Sequence, residues 1–260
     1  MSDAEPSRPF PGTPPQWLND VRLAAGFLTR LVPPPGGVIR PLARAVRAFP
    51  LVGAGLGAAA GLVYIVASEV GLPPILAALV TLAALVLATG ALHEDGLADT
   101  ADGFGGGIAK AAKLTIMRDS RIGTYGVIAV AFSLMARVAA LATIAEPALV
   151  FAALVVTAAA SRAAMPLIMV LLPMARSDGL GADAGRPSRR DMVIGAILAL
   201  VIALLALDGA VAIIALVVGG LGALAVAALA RRQIGGYTGD VLGAAQQVSE
   251  VAMLFTIVAL

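Results

Sequence analysis

Residues 74–92, PILAALVTLAALVLATGAL, run for nineteen positions without one charged side chain. A helix of about 20 such residues crosses a hydrocarbon layer of roughly 30 Å. Lipid offers no partner for backbone N–H or C=O groups, so a segment of this kind is either a helix or a strand of a closed barrel. Here Ala, Leu and Val follow one another without period-2 alternation, which selects helix. Comparable runs recur along the 260 residues, and 60% of the chain is hydrophobic against 13% charged. The expected fold is an all-α, polytopic integral membrane helical bundle with about seven transmembrane helices, over 49–68, 74–92, 124–145, 147–172, 192–207, 209–230 and 240–260.

Charge between these runs predicts their direction. Arg8, Arg22, Arg30, Arg40, Arg44 and Arg47 precede the first run, and Lys110, Lys113, Arg118 and Arg121 lie between the second and third. Arg176, Arg186, Arg189 and Arg190 precede the fifth, and Arg231 and Arg232 precede the last. The alternate loops carry only Glu69, Glu146 and Asp208. Cytoplasmic loops are the ones enriched in Lys and Arg. The N-terminus and every large loop are therefore expected in the cytoplasm, and the C-terminus outside. That explains a basic chain without nucleic acid as a partner. Residues 1–15 read as a polar, proline-rich tail, lacking the basic-then-apolar order of a signal peptide, and 16–260 as a single membrane domain. Trp17, Val21, Leu28 and Leu31 recur at near-helical spacing, which suggests an interfacial helix ended by Pro33-Pro34-Pro35. A short helix packed on the bundle satisfies the same spacing. Gly53, Gly57 and Gly61 form a small-residue stripe suited to close helix approach.

The stretch HEDGLADTADGFGGG, 93–107, sets acids directly against the most apolar run. Continued as a helix at about 100° per residue, it carries Asp95, Asp99 and Asp102 within roughly 60° of arc, with Glu94 about 80° outside that group. Like charges on one face imply a compensating cation. With no cysteine and one histidine, the ligands must be mainly oxygen, which suits Mg²⁺ or Mn²⁺. In IMRDSRIGTYG, 116–126, Arg118, Asp119 and Arg121 alternate in sign, and arginine presents a planar fork to phosphate oxygens. Arg137 and Arg162 lie about 15 to 20 Å into their helices. Charge at that depth is paired or functional; both could neutralise the acids, or Arg162 could help bind an anionic substrate. In GGYTGDVLGAAQQVSE, 235–250, Asp240, Gln247 and Glu250 share one face of an otherwise apolar helix, which must look into the bundle. A divalent cation held by carboxylates, with arginines on the remaining oxygens, is the recurring arrangement for attack on phosphorus. An ion-coupled transporter could use the same acids, but it predicts inverted repeats or paired broken helices.

In these segments, together with FLTRL at 27–31, FPLVGAGLG at 49–57 and SRAAM at 161–165, the sequence resembles the cobalamin synthase family, the adenosylcobinamide-GDP ribazoletransferases. The resemblance implies a Mg²⁺-dependent transferase at the cytoplasmic face of the bacterial inner membrane. Its substrates are adenosylcobinamide-GDP and α-ribazole or α-ribazole 5'-phosphate, its leaving group is GMP, and its product is adenosylcobalamin or its 5'-phosphate. Carried onto this chain, it assigns metal binding to Asp95, Asp99 and Asp102, with Glu94 and Asp119 contributing. Asp99 or Asp102 accepts the attacking hydroxyl's proton, and Arg118, Arg121, Arg162 and Asp240 serve the pyrophosphate substrate. A homo-oligomer, or association with other corrin-pathway enzymes, is compatible with the same residues.

Overall fold

The computed structural model describes residues 16–32, 42–176 and 185–260. The expected tail 1–15, the Pro33-Pro34-Pro35 terminator, and Arg8 and Arg40 lie outside them. Within the described residues the chain forms α-helices only, apart from one 3-10 segment, Leu42–Ala48. They are α1 Gln16–Leu28, α2 Phe49–Glu69, α3 Pro74–Thr89, α4 Leu92–Gly106, α5 Lys110–Ile116, α6 Thr124–Ile144, α7 Pro147–Leu171, α8 Arg189–Ala206, α9 Gly209–Ile234 and α10 Gly239–Ala259. The chain is an all-α polytopic membrane protein. Its outer surface is oily, with Leu62, Val66, Leu87, Phe132, Leu205, Val217, Leu221 and Phe255 all exposed, while Arg137, Arg162, Glu250 and Gln246 are buried. That inversion is what lipid as a solvent demands.

Five helical stretches are long and apolar enough to cross a membrane: Leu42–Glu69, Thr124–Ile144, Pro147–Leu171, Gly209–Ile234 and Gly239–Ala259. Two of the seven expected spans differ. The run 74–92 ends as a helix at Thr89, and α4 then leaves at 87° to α3, so the two together make one broken span or a re-entrant loop. The corner is Gly90 and Ala91, both left-handed at φ 64° and 56°. The fifth, 192–207, is α8, an 18-residue helix whose first turn holds Arg189, Arg190 and Asp191. Its uncharged part is shorter than the roughly 20 residues a crossing needs.

Two of the three acids in the weakly charged loops, Glu146 and Asp208, are helix caps. Glu146 accepts from the backbone N–H groups of Ala148 and Leu149 at the start of α7, and Asp208 from that of Ala210 at the start of α9. Carboxylates at these ends satisfy orphan donors and complement the helix dipole. The glycine stripe packs α2 antiparallel on α7: a Cβ at Gly53, Gly57 or Gly61 would strike Ala158, Leu154 or Phe151 in turn. α10 is the central post, touching α4, α6, α7 and α9. α1 lies against the 3-10 segment and α2 through Asp20, Ala24 and Leu28. Asp20 accepts from Arg47, whose guanidinium stacks 4.3 Å over Trp17, and Phe27 stacks on Phe49 at 6.0 Å. Trp17, on the same face as Asp20 and Ala24, and Leu18 beside it remain exposed at the start of the helix, which is packed on the bundle through the rest of that face.

Candidate active site

α4 is a regular helix whose acids point three ways. Glu94 turns into the bundle, where its Oε1 accepts from Arg137 Nη2 at 2.8 Å on α6 and from Gln247 Nε2 at 3.2 Å on α10. Arg137 Nη1 reaches Glu250 Oε1 at 3.4 Å. Glu250 also accepts from Gln246, which donates to Ser161 on α7 at 2.9 Å. Ser133 of α6 donates to Gln247 at 2.8 Å. Glu94, Arg137 and Glu250 are 7, 1 and 2% exposed. Arg162 lies in the same interior, its Nη1 donating to the Ala158 carbonyl, with Glu250 and Glu94 as its nearest opposite charges. The network is balanced, with one arginine for each glutamate. It bolts α4, α6, α7 and α10 together at one level and holds α4 at one rotation.

Asp102 takes a second direction. Its Oδ2 accepts from Gly123 N at 2.7 Å and its Oδ1 from Gly126 N at 2.8 Å. Gly123 is the N-cap of α6 and has no capping side chain of its own, so Asp102 caps that helix from outside. The glycines of RIGTYG follow, since a Cβ on Gly123 would sit 2.5 Å from Asp102 Oδ1. Two segments twenty residues apart are therefore one structural unit.

Asp95 and Asp99 face the third direction, and α10 brings Asp240 to them. α4 and α10 cross with backbones nearly touching: a Cβ at Gly96 would lie 2.8 Å from the Asp240 carbonyl oxygen, and one at Gly243 would lie 3.2 Å from that of His93. Asp99 feels Asp95, Asp240 and Asp102 as like charges, and only Arg176 opposes them. Arg176 Nη2 reaches Asp240 Oδ2 at 3.3 Å, an oxygen that also accepts from Thr238 at 3.1 Å. A short parallel bridge sets that arginine in place, with Tyr237 N donating to Pro173 O and Ala175 N to Tyr237 O. Asp95, Asp240 and Arg176 line a cavity of about 130 Å³, together with His93 and an apolar wall. No three acidic or histidine side chains among the described residues are drawn close enough to share one ion.

Of the expected ligands, then, Asp95 and Asp99 share a surface, Glu94 is held by Arg137, and Asp102 holds α6. Asp119 and Arg121 pair with each other beyond α5, at 2.7 Å. Those bonds lower the Asp119 carboxyl to about 2. Arg118 is exposed on the same turn. Arg162 is inside the bundle, and the guanidinium at the cavity belongs to Arg176. Reading the sequence for motifs missed Arg176, because it counts there as one more basic loop residue. It also missed His93, whose Nε2 is buried without a hydrogen-bond partner, as is Arg176 Nη1.

The family Cobalamin-5-phosphate synthase matches residues 20–258 of the chain. An adenosylcobinamide-GDP ribazoletransferase of Bradyrhizobium diazoefficiens is 49% identical to it, over 91% of this chain and 92% of the relative. Relatives of the same name from Mesorhizobium japonicum and Azorhizobium caulinodans are 48% and 43% identical, covering 93% and 91% of this chain and 93% and 94% of their own. No solved structure matches.

Proposed function

The chain belongs to the Cobalamin-5-phosphate synthase family, and from that membership we infer how its residues carry out the ribazole transfer for which its relatives are named. The observation that carries the reading is the meeting of Asp95, Asp99 and Asp240 on two crossed helices beside a cavity, with Arg176 as their counter-charge. The reaction joins the ribazole hydroxyl oxygen to the phosphorus on the cobinamide arm, and the bond from that phosphorus to GMP breaks. The hydroxyl proton must go to a base. Asp99 is the better acceptor of the pair Asp99 and Asp102, since both oxygens of Asp102 already hold α6. Arg176 Nη1, buried and unpartnered, is placed to receive a phosphate oxygen through a charge-assisted hydrogen bond. Arg118 and Arg121, exposed beyond α5, would meet the pyrophosphate from outside the cavity.

Hard oxygen donors with a single opposing arginine suit Mg²⁺, or Mn²⁺, in kind. Asp95, Asp99 and Asp240, whose side chains are not drawn around one point here, would turn inward to hold the ion, and it would neutralise charge on the pyrophosphate. Loops rich in arginine belong on the cytoplasmic side, so the cavity opens toward the cytoplasm of the inner membrane. A transporter would require a second broken helix pair to match α3 and α4; among the described residues theirs is the one bent pair. The test is GMP release by the purified protein from adenosylcobinamide-GDP and α-ribazole, with Mg²⁺ titrated. Release should need the ion, and Asp99→Asn should lower the rate about 100-fold or more while the protein still inserts and purifies as wild type. Wild-type rates in Asp99→Asn would remove Asp99 from the reaction, and release indifferent to chelator would remove the ion.

A further inference from the structure

The cavity beside the acids has two kinds of lining. Asp95, Asp240 and Arg176 form one, joined by the bond from Arg176 to Asp240; Phe27, Val46, Phe49, Met165, Met169 and Leu242 form the other, its apolar end, around the Phe27–Phe49 pair. Phe27 and Phe49 stack nearly parallel, 12° apart, so both rings are held in one orientation beside that end. Two methionines complete it with side chains that adapt to shape. His93 lines the same cavity with its Nε2 buried and unpartnered. Such an atom signals a missing partner, because buried polar groups are otherwise satisfied.

Resting on the transferase reading above, we propose that this apolar end receives the base of the nucleoside acceptor, and so sets which bases the enzyme accepts. Ribazole is a ribonucleoside of dimethylbenzimidazole, a flat bicycle with two methyl groups and one free ring nitrogen. The apolar wall takes the methyl-bearing ring, His93 meets the ring nitrogen, and the sugar hydroxyls extend toward Asp95 and Asp240, with the attacking hydroxyl giving its proton to Asp99. Guanine, the other base in the reaction, fits poorly. It carries donors and acceptors on several edges, and those turned to the Phe, Val, Leu and Met side chains would go unpaired. The ring system of cobinamide is far larger than the space available.

The test uses the full-length enzyme in detergent and two acceptors, α-ribazole and its analogue without the two methyl groups, competing in one reaction. Their product ratio is independent of how much enzyme is folded. Wild type should favour α-ribazole, and Met169→Phe, which fills the apolar end, should shift the ratio at least about tenfold toward the smaller base, the usual effect of a methyl-sized change in a close pocket. Phe49→Leu, which opens it, should relax the preference. In both variants KM for adenosylcobinamide-GDP should stay within about twofold of wild type. An unchanged ratio in both, with GMP still released, overturns the placement of the base. So does a rise confined to KM for adenosylcobinamide-GDP, which would put guanine in the cavity. Absence of GMP release from wild type with either acceptor instead defeats the transferase reading itself.

Discussion

Arg137→Met removes the one guanidinium that both Glu94 and Glu250 touch, at 2.8 and 3.4 Å, in a place where all three side chains are nearly inaccessible. Leaving a buried charge without its partner costs about 3–5 kcal/mol. The lower end applies here. Gln247 still donates to Glu94, Gln246 still donates to Glu250, and Arg162 remains within electrostatic reach of both. We therefore expect a loss of about 3 kcal/mol, measured by SDS-titrated unfolding of the purified protein in mixed micelles. The triple variant Arg137→Met, Glu94→Gln, Glu250→Gln removes the orphaned charges along with the cation. It should recover at least half of that loss, since a buried ion group replaced as a whole is often near neutral. A loss under about 1 kcal/mol, the scale of a solvent-exposed pair, would refute the reasoning, as would a triple variant no more stable than the single one. The same variants separate bolt from ligand. In the folded triple variant the Mg²⁺ concentration for half-maximal GMP release should match wild type; a large rise would return Glu94 to the metal.

Asp102→Asn should cost about 1–2 kcal/mol, because an amide offers one acceptor where Gly123 and Gly126 present two donors. Asp99→Asn should cost little by the same SDS titration while losing the reaction, so equal stability losses in the two variants would contradict the division of labour along α4. At the corner between α3 and α4, Ala91 is left-handed at φ 56°, a conformation unfavourable by about 1–2 kcal/mol for a residue with a Cβ. Ala91→Gly should therefore stabilise or leave unchanged, and Gly90→Ala should destabilise, since its Cβ would also lie 2.6 Å from the Arg30 side chain. The reverse order of stabilities would mean that the corner is not built as described.

Membrane class, helix content and the close-packing face of α2 were legible because each rests on composition or on a fixed spacing. Leu, Ala and Val runs declare a span, and glycine every fourth residue declares a close crossing. The bend after Thr89 was not. Hydropathy carries no information on φ, the apolar run continues through the corner to Leu92, and no proline marks it. α8 was overcounted for a related reason. Its residues are apolar enough to be a span, but a charged first turn shortens the part that lipid can cover.

The site divides along the same line between local and distant information. Helical periodicity placed Asp95 and Asp99 together and set Glu94 apart, and the structure keeps both relations because α4 does not unwind. An arc on a wheel cannot say what waits beyond the helix, so Asp102, one turn nearer the end, seemed equivalent to its neighbours until α6 supplied two amides for it. The partner of Arg137 lies 43 residues away, beyond any i, i+4 rule. It was nevertheless constrained, because a charge in the bilayer interior needs its opposite there. The interior carries two arginines, Arg137 and Arg162, and the acids deep enough to balance them are Glu94 and Glu250. Neutrality at depth thus ties Glu94 to the bundle and leaves Asp95 and Asp99, one and five residues on, as the carboxylates still short of positive charge. That deficit is what a metal-dependent phosphoryl site requires, and along α4 it exists only on the side that meets Asp240.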